Sequence, residues 1–160
     1  MTIKVGDRIP TVTLHHLTAE GMQAVSTDKL FGGKKVVLFG LPGAYTRTCS
    51  SRHLPGYVAH AAALRGKGID TVACLSVNDA FVMGAWGKEH GADDKVMMLG
   101  DGSGAFTRAI GLELDRRKEG MGMRSQRYSM VVEDGVVTAL NVEKPGEYAV
   151  SAAEAMLAAL

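Results

Sequence analysis

One stretch, residues 36–64, constrains the fold of this chain more than any other. It begins with the apolar run Val36-Val37-Leu38-Phe39, which is interrupted by Gly40 and Pro42 and followed by small and hydroxyl-bearing residues as far as Cys49. Beyond Cys49, apolar residues recur at the spacing of a helix: Leu54, Tyr57, Val58, Ala61, Ala62 and Leu64. The pattern predicts a buried strand, a tight loop and a helix from Cys49 to about Leu64.

Cys49 falls in the first turn of that predicted helix. The backbone N–H groups of a first turn lack intrahelical partners and the helix dipole is positive there. Both effects favour a thiolate, which is the nucleophilic form of cysteine. A lone cysteine is more often a small packed hydrophobe, so the residue alone leaves both interpretations open.

Three neighbours of Cys49 favour a reactive thiol. Thr46 precedes it by three residues, and we expect its hydroxyl to point at the sulfur. Pro42 fixes one backbone torsion and helps to hold the loop in one shape. The N–H groups of Thr48 and Cys49 are expected to form a cradle for a polar oxygen atom. A site that holds a thiolate beside an electrophilic oxygen supports thiol oxidation chemistry.

The same residues resemble a known family. Pro42-x-x-x-Thr46-x-x-Cys49 matches the P-x-x-x-T-x-x-C signature of peroxiredoxins. Two further segments, Ala73–Val82 and Arg127–Val132, are similar to the atypical type II, or peroxiredoxin-five-like, subfamily. The similarity runs from about Ile3 to Val142. It implies a thioredoxin-like α/β fold, with a mixed central sheet and helices on both faces, and a thiol-dependent peroxidase.

The remaining pattern agrees with such a fold. Strands are expected around Val12 and Leu14 and over residues 69–77, 96–99, 127–132 and 136–142. Helices are expected over residues 80–90, with Phe81, Val82, Ala85 and Trp86 inward, over 105–110, and over 151–160, with a capping box of Ser151 and Glu154. A short helical turn follows the cap Ser26-Thr27-Asp28, Pro55 should kink the long helix, and Gly120–Met123 resembles a flexible apolar loop. We expect a single domain over residues 1–160.

Composition excludes several classes of function. Apolar residues make up 46% of the chain and charged residues 22%, and the net charge is +1, so nothing favours nucleic acid or an anionic membrane as a partner. No apolar run approaches the roughly 20 residues of a membrane span. The two cysteines form neither a C-x-x-C pair nor a zinc framework. We expect a cytoplasmic protein with no cofactor and no metal.

The resemblance also implies a mechanism. Cys49 would attack a hydroperoxide (hydrogen peroxide or a small alkyl hydroperoxide) and become a sulfenic acid. Arg127 is, on the residues alone, equally a surface charge or a partner of the thiolate, and the resemblance favours the partner. Tyr45 and Met121 are expected to line the pocket mouth. For His53 we favour packing or capping over a role as base or metal ligand.

Recycling of the sulfenic acid requires a second thiol. Ser151 stands where some animal relatives carry a redox cysteine, and Cys74 stands where plant relatives carry one; inert burial of Cys74 is favoured over a resolving role. An external thiol, glutathione with glutaredoxin or thioredoxin, is therefore expected. Arg47 replaces a proline of most relatives and either points to solvent or adds positive charge near the sulfur. The resemblance implies a homodimer. A peroxide sensor that passes its oxidation to a partner protein is the alternative to an enzyme.

Overall fold

The computed structural model describes residues 2–160. Nine strands lie at Thr13–Thr18 (β1), Gly21–Ser26 (β2), Lys35–Gly40 (β3), Thr71–Ser76 (β4), Met97–Gly100 (β5), Glu113–Arg116 (β6), Gly122–Ser125 (β7), Tyr128–Glu133 (β8) and Val136–Val142 (β9). Five α-helices lie at Thr27–Phe31 (α1), Leu54–Gly66 (α2), Ala80–Glu89 (α3), Ala105–Ile110 (α4) and Ala153–Ala159 (α5). A π-helical turn, Cys49–His53, leads directly into α2, and a 3₁₀ turn, Arg117–Glu119, joins β6 to β7.

Seven of the strands form one mixed sheet in the order β2-β1-β5-β4-β3-β8-β9. The central strands β3, β4 and β5 run parallel, whereas β8 pairs antiparallel with β3 and β9 with β8. Strands β6 and β7 form a separate two-stranded hairpin. The mixed sheet predicted from the sequence is confirmed.

Alternation along β3 builds a core on each face of the sheet, because successive side chains of a strand point to opposite sides. Val37 and Phe39 pack with side chains of α2, α3 and α5. Val36 and Leu38 pack with side chains of α1 and α4. Cys49 and Cys74 both belong to the first of these two clusters. The sheet is thus covered by helices on both faces, and both sulfurs lie on the same side.

Strands β2, β6 and β7 were missed by the sequence patterns. The β6–β7 hairpin is short and polar, with Glu113 paired to Ser125 and Leu114 to Arg124, so it lacks a continuous apolar face. The predicted flexible loop at Gly120–Met123 is partly wrong, since Gly122 already begins β7. Gly120 and Gly122 have φ angles of 74° and 71°, a backbone conformation that favours glycine.

The inward face of α3 differs from the prediction. Phe81 is 58% exposed and Ala85 is also exposed, whereas Met83 and Trp86 are buried. The helix begins after Asp79, whose carboxylate accepts the N–H of Val82. This cap sets the rotation that places Met83 and Trp86 against the sheet and leaves Phe81 outside.

The predicted capping box of the last helix is wrong. Helix α5 begins at Ala153, its N-cap Ala152 makes no side-chain hydrogen bond, and the Ser151 hydroxyl instead donates to Glu143 Oε2 at 2.7 Å. The local break expected near Pro55 is present as the π-helical turn, in which the N–H of Leu54 donates to the carbonyl of Cys49. No helix within residues 2–160 is long and apolar enough to cross a membrane.

Candidate active site

The loop that carries the candidate nucleophile begins at a glycine that the packing requires. Gly40 ends β3 opposite Tyr128 of β8, and the Tyr128 ring occupies the space in which a Cβ on residue 40 would lie. The loop is then tied to the neighbouring strand–helix connection, since the N–H of Ala44 donates to Asn78 Oδ1 at 2.9 Å. The Ser76 hydroxyl donates to the same oxygen at 2.7 Å. The loop is therefore held by Asn78, just after β4, which is itself held by the last residue of that strand.

Cys49 is the first residue of the π-helical turn and is completely buried. Its sulfur accepts a hydrogen bond from Nη2 of Arg127 at 3.2 Å. Arg127 immediately precedes β8, and its own carbonyl accepts the N–H of Glu143 at 2.9 Å. The guanidinium of the residue that leads into β8 thus reaches the sulfur at the start of a helix.

The N–H groups of Thr48 and Cys49 lie at that helix start. The hydrogen bonds within residues 2–160 include none donated by either group, whereas the N–H of the next residue, Ser50, donates to the Thr46 carbonyl at 2.9 Å. The Ser50 hydroxyl accepts the indole N–H of Trp86 at 2.9 Å, which fixes the turn against α3. Two donors therefore remain available for a polar atom beside Cys49.

The prediction that the Thr46 hydroxyl points at the sulfur is wrong. Thr46 Oγ1 donates to the Gly43 carbonyl at 2.7 Å, and no hydrogen bond joins it to Cys49 in the described part of the chain. A hydroxyl has one proton, so a group that donates to a backbone carbonyl can act on a ligand only as an acceptor. Thr46 lines the adjoining cavity from this position.

His53 contacts the site through a hydrogen bond that the sequence did not reveal. Its ring is buried, its Nδ1 lies 2.8 Å from Nη1 of Arg127, and its Nε2 lies 3.2 Å from the Ser151 carbonyl oxygen. Burial and the Arg127 charge lower the pKa of His53 to about 3, so the ring is neutral at pH 7. The spacing from Cys49 placed His53 on the same side of the helix, but no pattern in the sequence indicated its contact with Arg127.

A cavity of about 410 Å³ adjoins this cluster. Its walls combine apolar, hydroxyl-bearing and charged side chains, among them Pro42, Thr46, Thr48, Arg127, Leu114, Met121, Arg47, Arg116, Lys144 and Glu147. Cys49 does not line the cavity itself, but its neighbour Thr48 and its partner Arg127 do. A small molecule in the cavity would meet these two residues next to the sulfur.

Comparisons with known proteins agree with this arrangement. The family model described as Redoxin matches residues 4–157. The chain is 50% identical to peroxiredoxin-2E, chloroplastic, of Arabidopsis thaliana over 99% of this chain and 70% of that protein. It is 52% identical, with a TM-score of 0.95 over 99% of both chains, to reduced Prx3 of Vibrio vulnificus in complex with hydrogen peroxide. Peroxiredoxin 5 of Alvinella pompejana is 36% identical, with a TM-score of 0.86 over 98% of this chain and 96% of that one.

The chain belongs to the peroxiredoxins. Its α/β fold is thioredoxin-like, its likeness extends to the peroxiredoxin 5 and plant type II branches, and it is a thiol-dependent peroxidase. The family assignment made from Pro42, Thr46 and Cys49 is confirmed.

Tyr45 of this peroxiredoxin lies outside the predicted pocket mouth. Its φ angle is 64°, its side chain is 52% exposed, and its hydroxyl donates to Glu89 Oε1 at 3.0 Å. Its ring centroid lies 6.4 Å from that of Trp86, so it covers α3 and does not line the cavity. Met121 lines the cavity as expected, and Arg47 does so too while remaining exposed.

Cys74 lies in β4, between Phe39 of β3 and Met98 of β5, and has no exposed surface. Burial raises the pKa of its thiol, and the neighbouring Cys49 raises it further. Both cysteines are free thiols in this structure. This peroxiredoxin therefore holds its second thiol inside the sheet, in the protonated form.

Proposed function

We propose that Cys49 is the residue that reacts with the hydroperoxide. The observation that carries this proposal is the Arg127 Nη2–Cys49 Sγ hydrogen bond of 3.2 Å at the start of a helix. A guanidinium remains charged at all relevant pH values, and together with the helix start it stabilises a thiolate. Pro42 contributes by shaping the loop between β3 and the π-helical turn and by lining the cavity.

The reaction follows from these positions. The thiolate attacks the distal oxygen of the hydroperoxide, the O–O bond breaks, and the bonding pair leaves on the other oxygen, which takes up a proton and departs as water or an alcohol. Arg127 and the N–H groups of Thr48 and Cys49 stabilise the charge that develops on oxygen. Thr46 Oγ1, which already donates to Gly43, accepts the hydrogen bond of the peroxide O–H.

The substrates that we infer are hydrogen peroxide and small alkyl hydroperoxides. Hydrogen peroxide is the molecule bound to the Vibrio vulnificus relative, which is 52% identical. The alkyl group of a larger hydroperoxide would lie against Met121 and Leu114 in the cavity of about 410 Å³. Met121 suits such a group because its side chain is unbranched and adaptable.

We infer that an external thiol reduces the sulfenic acid. Ser151 cannot form a disulfide, and Cys74 is buried in β4 as a protonated thiol. The first external thiol would form a mixed disulfide with Cys49 and release water, and a second would restore the Cys49 thiol. Glutathione with glutaredoxin is the reductant that we favour, with thioredoxin as the alternative. The exposed Arg47 and Lys144 at the cavity are suited to an anionic thiol.

Peroxide turnover tests the proposal. Wild type, Cys49→Ser and Cys74→Ser are compared with hydrogen peroxide under glutathione plus glutaredoxin and under thioredoxin with its reductase. Cys49→Ser is expected to lose all activity, and Cys74→Ser to retain most of it with glutaredoxin. Full turnover by Cys49→Ser would overturn the assignment. Oxidation of Cys49 without turnover under either reductant would favour a peroxide sensor that passes its oxidation to a partner protein.

We infer a homodimer that uses the face next to the active-site loop. Two large aromatic side chains are exposed there, Tyr45 at 52% and Phe81 at 58%. Phe81 belongs to α3, and Tyr45 bonds to Glu89 at the other end of the same helix. Sedimentation of wild type and Phe81→Glu tests this: a dimer that dissociates in the variant is expected, and a monomeric wild type would contradict it.

A cytoplasmic location remains our proposal, to be tested by fractionation.

A further inference from the structure

A buried chain of hydrogen bonds reaches from the C-terminal segment to the reactive sulfur. Oε2 of Glu143 accepts three of them, from the N–H of Ala149 at 2.6 Å, the N–H of Ser151 at 2.9 Å and the hydroxyl of Ser151 at 2.7 Å. The Ser151 carbonyl in turn accepts the Tyr57 hydroxyl at 2.7 Å and faces Nε2 of His53 at 3.2 Å. His53 then contacts Arg127, and Arg127 contacts Cys49.

The direction of each bond is determined by chemistry. A guanidinium only donates, so Nδ1 of His53 must accept from Arg127 with its lone pair. In a neutral imidazole the proton is then on Nε2, and this N–H needs an acceptor because the ring is buried. The Ser151 carbonyl is that acceptor. If this carbonyl moved away, the ring could carry its proton on Nδ1. An N–H would then face the guanidinium, and Arg127 would lose its hydrogen-bond acceptor.

We propose that Glu143 and Ser151 are positioning residues for the peroxidase reaction. By clamping the Ser151 carbonyl, they hold His53 in the Nε2–H tautomer, which in turn orients Arg127 toward Cys49. The carboxylate suits this task because charge-assisted hydrogen bonds are roughly twice as strong as neutral ones. This inference rests on the roles proposed above for Cys49 and Arg127, and it assigns a positioning role to Ser151 in place of the expected helix cap.

The tautomer of His53 can be observed directly. Long-range ¹H–¹⁵N correlation spectra of the reduced, ¹⁵N-labelled protein distinguish Nε2–H from Nδ1–H, and the His53 signals are assigned by their absence in His53→Gln. We expect pure Nε2–H in the wild type at pH 7. A wild-type Nδ1–H tautomer overturns the proposal whatever the variants do. This readout needs no peroxide, so it stands apart from any failure of the proposed catalytic role of Cys49.

Two variants then test the clamp. Glu143→Gln removes the charge while keeping the shape, and Ser151→Ala removes one donor. For Glu143→Gln we expect a mixture of tautomers and a rate of reaction with hydrogen peroxide about tenfold lower in a single turnover. Ser151→Ala should show a smaller loss. The single tryptophan, Trp86, bonds to Ser50 beside Cys49 and serves as the fluorescent reporter.

Matched controls come from exposed residues outside this chain of hydrogen bonds. Glu154→Gln alters an exposed glutamate of α5 that pairs with His60 at 3.3 Å, and Ser103→Ala alters an exposed serine. Both should keep the wild-type tautomer and rate. Variants of Glu143 and Ser151 that keep a pure Nε2–H tautomer overturn the proposal, whether their rate is unchanged or lowered, because the effect would not pass through His53. If Glu143→Gln fails to fold, Ser151→Ala and the wild-type tautomer decide.

Discussion

The two cysteines of this peroxiredoxin occupy the same apolar cluster and have opposite surroundings. Each has no exposed surface, and both lie on the α2 side of the sheet. Cys49 stands at a helix start, with a guanidinium bonded to its sulfur. Cys74 stands inside a parallel strand whose backbone is paired on both sides. Burial is common to both thiols, so reactivity depends on the donors that surround the sulfur.

The charge near Cys74 illustrates the same contrast. Burial raises the pKa of the Cys74 thiol most, Cys49 adds to the rise, and Arg127 opposes both by a smaller amount. The charge of Arg127 thus affects the pKa of Cys74, but its Nη2 proton is directed at Cys49. At Cys74 the charge of Arg127 does not offset the loss of hydration.

Alkylation of the native protein gives the sharpest test of this contrast. With iodoacetamide at pH 7 we expect one label per chain, on Cys49, and no measurable label on Cys74 in the time that Cys49 takes to react fully. Intact-mass and peptide mass spectrometry measure both. Cys49→Ser should take up no label until denaturant is added, and Cys74→Ser should behave like the wild type. Label on Cys74 of the native wild type would contradict the comparison.

Removing the guanidinium should make Cys49 less reactive and so more similar to Cys74. Arg127→Ala is expected to slow the reaction with hydrogen peroxide about 10²–10³-fold, as does the loss of one strong donor at other sites of developing charge. Arg127→Lys should lose less activity because it keeps the positive charge. Some loss should remain because lysine lacks the two directed N–H groups. Stopped-flow kinetics measure the rates.

A separate effect of Arg127→Ala concerns stability. The variant leaves Nδ1 of buried His53 without its donor, and such a loss costs about 1–3 kcal/mol. Urea unfolding is therefore measured together with the kinetics, so that a slower rate is interpreted only when the variant is folded. A folded Arg127→Ala that reacts at the wild-type rate would show that the helix start alone activates Cys49.

The sequence predicted the part of the site that is local in the chain. Pro42, Thr46 and Cys49 fall within one strand–loop–helix unit, so their spacing reveals it. Contacts between residues distant in the sequence were harder to foresee, as with His53, which meets Arg127 of the segment that leads into β8, the strand paired with β3.

Two misplacements show the limits of pattern alone. A helical period cannot tell whether Phe81 or Met83 faces the sheet until the cap at Asp79 fixes the rotation of α3. Ser151 fits a helix-cap pattern in sequence, but the carboxylate of Glu143, brought near by the turn after β9, offers its hydroxyl a charged acceptor.

His53 predicts a pH effect on folding. Its pKa is about 3 in the native protein and 6.5 as the ordinary value, so below pH 6.5 the unfolded chain binds a proton that the folded chain does not. Stability therefore rises with pH across this window and falls as the pH is lowered toward 3. Between pH 7 and pH 5 the expected loss is about 2 kcal/mol. Urea unfolding of wild type and His53→Gln measures it, and parallel pH dependences of the two proteins would contradict the assignment.

The smallest effect is expected at Cys74. Cys74→Ala removes one buried sulfur and should lower the free energy of unfolding by about 1 kcal/mol, while Cys74→Ser, which buries a hydroxyl among apolar side chains, should cost about 1–3 kcal/mol. Peroxidase turnover with glutaredoxin should stay close to that of the wild type in both variants.

If Cys74 instead resolved the sulfenic acid, a disulfide would form in the oxidised wild type without added thiol, and its mass would fall by two hydrogens. Neither variant would show this change in mass. The two Cα atoms would then have to come within about 7 Å of each other, as a disulfide requires, and Cys74 would be a partner of Cys49 and not its inert counterpart.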